Sequence, residues 1–133
     1  FGGVQKNTLR RSEILTEILV PLPPAGTRGT YYKFGLRQAM DLAVVGVGTL
    51  VKTKNGVFDE VRIALGAVAP KPFRVKKAER LLKGKKIEDR LIRDAGETAV
   101  IESAPITDIR ASREYRIELI KELIYRAINE SLP

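Results

Sequence analysis

Residues 31–51 read YYKFGLRQAMDLAVVGVGTLV, and the second half of that stretch, from Asp41 to Val51, decides the fold. Its valines and spaced glycines suit an extended strand better than a helix, and it is too short to cross a bilayer. Asn55-Gly56 follows, a pair that readily takes the left-handed angles of a type I′ turn, and a second apolar run extends from Val57 to Ala69. The two runs are expected to form one antiparallel hairpin. A two-residue loop pairs Lys54 with Val57, Lys52 with Asp59, Leu50 with Val61, Gly48 with Ile63, Gly46 with Leu65 and Val44 with Ala67. One face then carries Leu42, Val44, Leu50, Val61, Ile63, Leu65 and Ala67 toward a core, with the glycines opposite bulky Ile63 and Leu65. The thinner face, with Ala43, Val45, Val47, Ala64, Gly66 and Val68, suits close packing by another element or chain.

Upstream, residues 1–12 form an irregular lead-in with Gly2-Gly3. Residues 13–20 (EILTEILV) alternate as a short strand, ended by Pro21, Pro23 and Pro24. Residues 25–30 are a polar loop, and residues 31–40 fit either a strand end or a helical turn. Downstream, Pro70 and Pro72 stop the hairpin. Residues 73–83 have helical spacing with Gly84 just past the end, residues 87–103 form a second helix with Gly96 in its middle, and residues 112–130 the last. The apolar stripe of that last helix is Ile117, Ile120, Ile124, Ala127 and Ile128; either Asp108 or Ser112 caps its start. Strands first and helices afterwards predict an α+β fold, a small antiparallel sheet of about three strands followed by about three helices. The expected organisation is a single domain over 1–133: lead-in strand and proline-rich linker (1–30), β-hairpin (31–70) and helical part (71–133).

A chain of 133 residues can bury a substantial core, and 44% apolar with 30% charged residues is ordinary for a globular protein. It holds no cysteine and no histidine, which removes thiol nucleophiles, disulfides, the usual zinc sites and the commonest general base. Absence of cysteine fits an intracellular protein, and neither a signal peptide nor a membrane span is visible. The net charge of +8 is concentrated between Lys71 and Lys86, where eight basic residues face only Glu79. Such a block could bind nucleic acid or an acidic protein, but only Phe73 interleaves it, and a solvated helix face is the favoured reading.

No catalytic motif is present. Asp59-Glu60 reads as a solvated edge with Asp59 facing Lys52, and Asp108 with Arg110 as a capping or ion-pair arrangement. Tyr31, Tyr32, Lys33 and Arg37 form the one cluster that mixes aromatic rings with positive charge, which suits a planar anionic ligand.

Three ordered blocks, YYKFGLRQAMDLAVVGVG, RIALGAVAPKPFRVKKAERLLKG and APITDIRASREYR, resemble the C-terminal domain of the FAD-binding (medium) subunit of molybdenum hydroxylases, the carbon monoxide dehydrogenase and xanthine dehydrogenase family. EILTEILVPLPP is similar to the segment that joins the family's FAD domain to this one. The resemblance implies an antiparallel sheet packed with helices in a cytoplasmic oxidoreductase component, with no catalytic residue of its own. Its implied partners are an FAD-binding N-terminal domain or chain, an iron–sulfur subunit and a molybdopterin subunit. Carried over residue by residue, it places Tyr32, Lys33 and Arg37 at the flavin: a cation to stabilise the anionic reduced ring and an aromatic to shield it. The family often has a further basic residue in the segment where this chain has Gln38-Ala39-Met40. The glycine-rich loops that hold the FAD pyrophosphate belong to the family's preceding domains, so this chain alone is expected to bind FAD weakly or not at all.

Overall fold

The computed structural model describes residues 2–37 and 39–133; Gln38 and Phe1, on which parts of the sequence reading fell, lie outside them. Strands β1 (Thr27–Phe34), β2 (Val45–Lys54), β3 (Val57–Gly66) and β4 (Phe73–Arg74) are followed by helices α1 (Lys76–Leu82), α2 (Asp89–Glu102) and α3 (Arg113–Glu130). The strands form one antiparallel sheet in the order β1-β2-β3-β4. This is the α+β architecture expected, with four strands where about three were anticipated. Residues 13–20 are not one of them. They have no regular secondary structure and are exposed, and the first strand begins instead at Thr27, inside the segment read as a polar loop.

The β2–β3 turn is as the sequence implies. Asn55 and Gly56 both take positive φ, 52° and 71°, and Lys54 pairs with Val57. Two residues further on, the expected register fails. A bulge between Lys52 and Thr53 pairs Thr53 with Phe58 and Lys52 with Glu60, leaving Asp59 unpaired. The cause is Phe58. In an unbroken ladder its ring would point away from Val61 and Ile63; the extra residue turns all three to one side, where Phe58 and Ile63 are fully buried. Burying a ring of that size stabilises by roughly 1.5–3 kcal/mol, more than one ladder bond is worth.

A one-residue slip exchanges the two faces of β2. Val45, Val47, Thr49 and Val51 point into the core beside Val61, Ile63 and Leu65, while Leu50 and Leu42, expected inside, are exposed. Gly48 lies opposite Ala64 and Gly46 opposite Gly66, so small residues meet small residues on the open face rather than Ile63 and Leu65.

All three helices cover the other face. Ser112 settles the capping choice: its hydroxyl accepts the Tyr115 N–H at 3.1 Å. Gly96 lies where α2 crosses α3; a Cβ there would sit 3.2 Å from the Lys121 Cα, so the close approach needs glycine. Glu79, the lone acid of the basic block, is a buried latch. It accepts the Ile63 N–H at 2.9 Å and two Arg74 N–H groups at 2.7 and 2.8 Å, joining α1 to β3 and β4. Among the described residues no helix is long and apolar enough to cross a membrane.

Arg116 replaces Ile117 as the innermost residue of the first turns of α3, with its side chain 1% exposed. It donates to the Val44 carbonyl where the chain enters β2, to the Ala67 carbonyl at 3.3 Å where it leaves β3, and to Asp108 at 2.7 Å. Asp108 also accepts the Arg110 N–H at 2.9 Å and its guanidinium, which with Arg116 holds the carboxyl well below its ordinary value. Replacing Arg116 with Ala leaves three acceptors without their donor and should lower stability by about 3–5 kcal/mol, measured by urea unfolding. Because the Asp108 carboxyl is depressed in the folded state, its contribution is complete above the unfolded value of about 4 and is lost as pH falls below it. Asp108→Asn should therefore flatten the loss of stability on acidification below about pH 4, followed by thermal melts across pH.

Candidate functional site

Alternation along β1 divides the aromatic and basic cluster between the two sides of the sheet. Tyr31 and Lys33 project from the open face; Tyr32 and Phe34 project toward the helices and are half-buried. The Tyr31 ring lies over the glycine floor: a Cβ on Gly46 would meet its hydroxyl at 3.3 Å, and one on Gly48 its ring at 3.7 Å. Tyr32 donates its hydroxyl to Glu130 Oε2 at 2.5 Å, a bond that raises the pKa of the phenol. Phe34 stacks edge-on against Tyr115 with centroids 6.0 Å apart. The strand is thus pinned to both ends of α3 while Lys33 is left free on the opposite side.

Beyond Phe34 the chain turns through a loop that closes where Val44 N–H donates to the Phe34 carbonyl at 2.7 Å. Asp41 organises the interior of that loop. Its Oδ2 accepts the N–H groups of Leu36 and of Arg37, the latter at 3.0 Å. Partial removal from water pushes this carboxyl up, but the donated N–H groups outweigh it and hold it below its ordinary value. Gly35 is required here, since a Cβ would lie 2.8 Å from Asp41 Oδ2. The Arg37 guanidinium donates to the Met40 carbonyl at 2.9 Å, and Met40 itself takes a left-handed φ of 51°.

Lys33 and Arg37 consequently line one hollow of about 340 Å³ with Phe34, Gly35 and Leu36. Among the described residues neither cation has a carboxylate within ion-pair distance. The structure therefore brings Lys33 and Arg37 together and sets Tyr32 on the far side of the strand. Sequence reading passed over Asp41, whose carboxylate fills the pair of successive N–H groups that would otherwise hold an anion. An acidic residue six positions after Gly35, which follows the end of β1, was the available signal.

The basic block behaves as a solvated surface. Lys76, Lys77, Arg80, Lys83, Lys85 and Lys86 are exposed, Arg74 is committed to Glu79, and Phe73 packs against the core rather than presenting a ring for stacking. Asp59 pairs with Lys52 at 3.4 Å beside the turn.

A family model described as the CO dehydrogenase flavoprotein C-terminal domain matches residues 30–131. The xanthine dehydrogenase FAD-binding subunit of Escherichia coli is 30% identical over 131 residues, covering 98% of this chain and 45% of that one. The glyceraldehyde dehydrogenase medium chain of Sulfolobus acidocaldarius is 32% identical over 130 residues, 98% of this chain and 46% of that one. Among solved structures, carbon monoxide dehydrogenase from Hydrogenophaga pseudoflava, in a form lacking the Mo-pyranopterin moiety of the molybdenum cofactor, superposes with a TM-score of 0.91 and 30% identity over 97% of this chain and 45% of that chain. The chain spans less than half the length of these relatives.

If Asp41 shapes the loop, Asp41→Ala should speed hydrogen exchange at the Leu36 and Arg37 amides by about tenfold or more, read by NMR, while β2 and β3 amides keep their protection. Unchanged exchange at those two amides would show that the loop holds its form without the carboxylate.

Proposed function

Because this chain belongs to the family of CO dehydrogenase flavoprotein C-terminal domains, we propose that it packs against an FAD held mainly by polypeptide outside it, within the FAD-binding subunit of a molybdenum hydroxylase. In that setting it supports electron transfer from iron–sulfur clusters to the flavin, with molybdopterin and iron–sulfur subunits as partners. The single observation that carries the reading is the hollow at the end of β1, where two cations without carboxylate partners, Lys33 and Arg37, face the same space.

Chemically, the residues fit one part of the cofactor and not another. When bound, FAD supplies the step between paired and single electrons, and its reduced ring carries negative charge at the pyrimidine end. Lys33, on a strand pinned from behind by Tyr32 and Glu130, is held to place its ammonium against such an edge. Arg37 supplies a second positive charge, its guanidinium held by the Met40 carbonyl. For Tyr32 the hydrogen bond to Glu130 favours anchoring over shielding, whereas Tyr31 offers an exposed ring on the side of Lys33. A pyrophosphate is not served in the same loop, where the successive N–H groups of Leu36 and Arg37 are already taken by Asp41.

Neutralising Lys33 as Lys33→Gln in the complete flavoprotein should lower the two-electron potential of the flavin by about 30 mV, a tenfold weaker preference for the reduced form. A potential identical to the parent's in both Lys33→Gln and Arg37→Gln would refute the assignment. Fluorescence titration of this chain alone should show weak FAD binding or none; a tight one-to-one complex would contradict the division of labour.

A further inference from the structure

We infer that residues 13–20 are a β-strand whose sheet lies elsewhere: they pair with a sheet edge in the part of the flavoprotein that precedes this domain, an inference that rests on the proposed place of this chain in such a subunit. The sequence predicts a strand here, and the structure leaves these residues exposed and outside its own sheet. Among the described residues, positions 14–23 take part in no backbone–backbone hydrogen bond. Unpaired N–H and C=O groups in a row form a template for another strand.

The side chains point the same way. Both sides of such a strand carry large apolar groups, Ile14, Ile18 and Val20 on one and Leu15 and Leu19 on the other. Strands that are apolar on both sides belong to sheets covered on both faces. Ile18 is 75% exposed, Leu19 81% and Val20 82%, so the segment buries almost none of the surface its composition is built to bury. Just beyond it, residues 20–24 wall an apolar hollow of about 380 Å³ against Leu50 and Arg62 on the open sheet face. A ridge from the same partner would fill that hollow.

The extent of the family match identifies the occupant. The domain model starts at residue 30, yet the relatives match over 98% of the chain, and the superposed carbon monoxide dehydrogenase chain covers 97% of it at a TM-score of 0.91. The lead-in is therefore shared with longer proteins while standing outside the C-terminal domain proper. Those relatives hold more than half of their length outside the match, and a C-terminal domain is preceded by the remainder of its flavoprotein.

Hydrogen exchange followed by mass spectrometry on this chain alone and on the flavoprotein that carries it with its FAD-binding portion tests the inference. Amides of residues 15–20 should exchange about 100-fold more slowly in the flavoprotein than in this chain alone. Ile18→Asp should leave the melting temperature of this chain unchanged, because that residue is exposed in it, and should abolish the protection in the flavoprotein. Unprotected amides in a flavoprotein that still holds FAD would overturn the inference and leave the proposed function standing. Protection in a flavoprotein that holds no FAD would support the strand pairing and refute the proposed function. Protection in this chain alone, with a dimer in solution, would make a second copy the occupant and also overturn the inference.

Discussion

One buried guanidinium holds together the end of the sheet beside the candidate site. Arg116 reaches from α3 to the carbonyls of Val44 and Ala67, the points where the chain enters β2 and leaves β3, and to Asp108 ahead of its own helix. A positive charge this deep is tolerable only when most of its donors are taken: the two terminal nitrogens reach the Val44 and Ala67 carbonyls and the Asp108 carboxylate, while the buried Nε has no partner among the described residues. Val44 in turn closes the 35–41 loop through its bond to Phe34. The position of Lys33 is thus set from behind, by α3, while Arg37 is held within the loop by Asp41 and the Met40 carbonyl.

The sheet has two surfaces with different purposes. The bulge that brings Phe58 into the core also decides that Gly46, Gly48, Ala64 and Gly66 form the uncovered floor. Helix packing at the covered face is tight enough to require Gly96. The uncovered face presents Tyr31, Leu50 and two apolar hollows, one of about 610 Å³ over the glycine floor and one of about 380 Å³ beside the proline-rich segment. The exposed segment of residues 13–20, without regular structure, precedes the proline-rich residues that border the smaller hollow.

Much of this was legible from local chemistry. Asn55-Gly56 located the hairpin because two left-handed residues are needed there; Gly84 marked the end of α1 and Ser112 the start of α3, but the helix read from residue 73 begins only at Lys76, Phe73 and Arg74 being paired to β3 as β4. The register was not legible, because a bulge is chosen by the burial of Phe58, a tertiary gain that alternation cannot show. Arg116 and Glu79 were hidden for a related reason. A charged residue reads as surface until the carbonyls or N–H groups that satisfy it are brought near by other elements. At the candidate site, Lys33 and Arg37 were selected by resemblance and found lining one hollow, while strand alternation separated Tyr32 from them and the role of Asp41 appeared only once the loop was closed. The strand read in residues 13–20 is not formed among the described residues, where the segment is exposed and without regular structure.

In the proposed function this domain is the cation-bearing wall of a flavin site whose phosphate grip lies elsewhere. The most direct measurement is photolabelling of the complete flavoprotein reconstituted with FAD carrying an azide on its pyrimidine ring, with the label located by peptide mass spectrometry. The account predicts label on the peptide that contains Lys33 and Arg37. Label confined to residues outside this chain, with none between Tyr31 and Asp41, would contradict it.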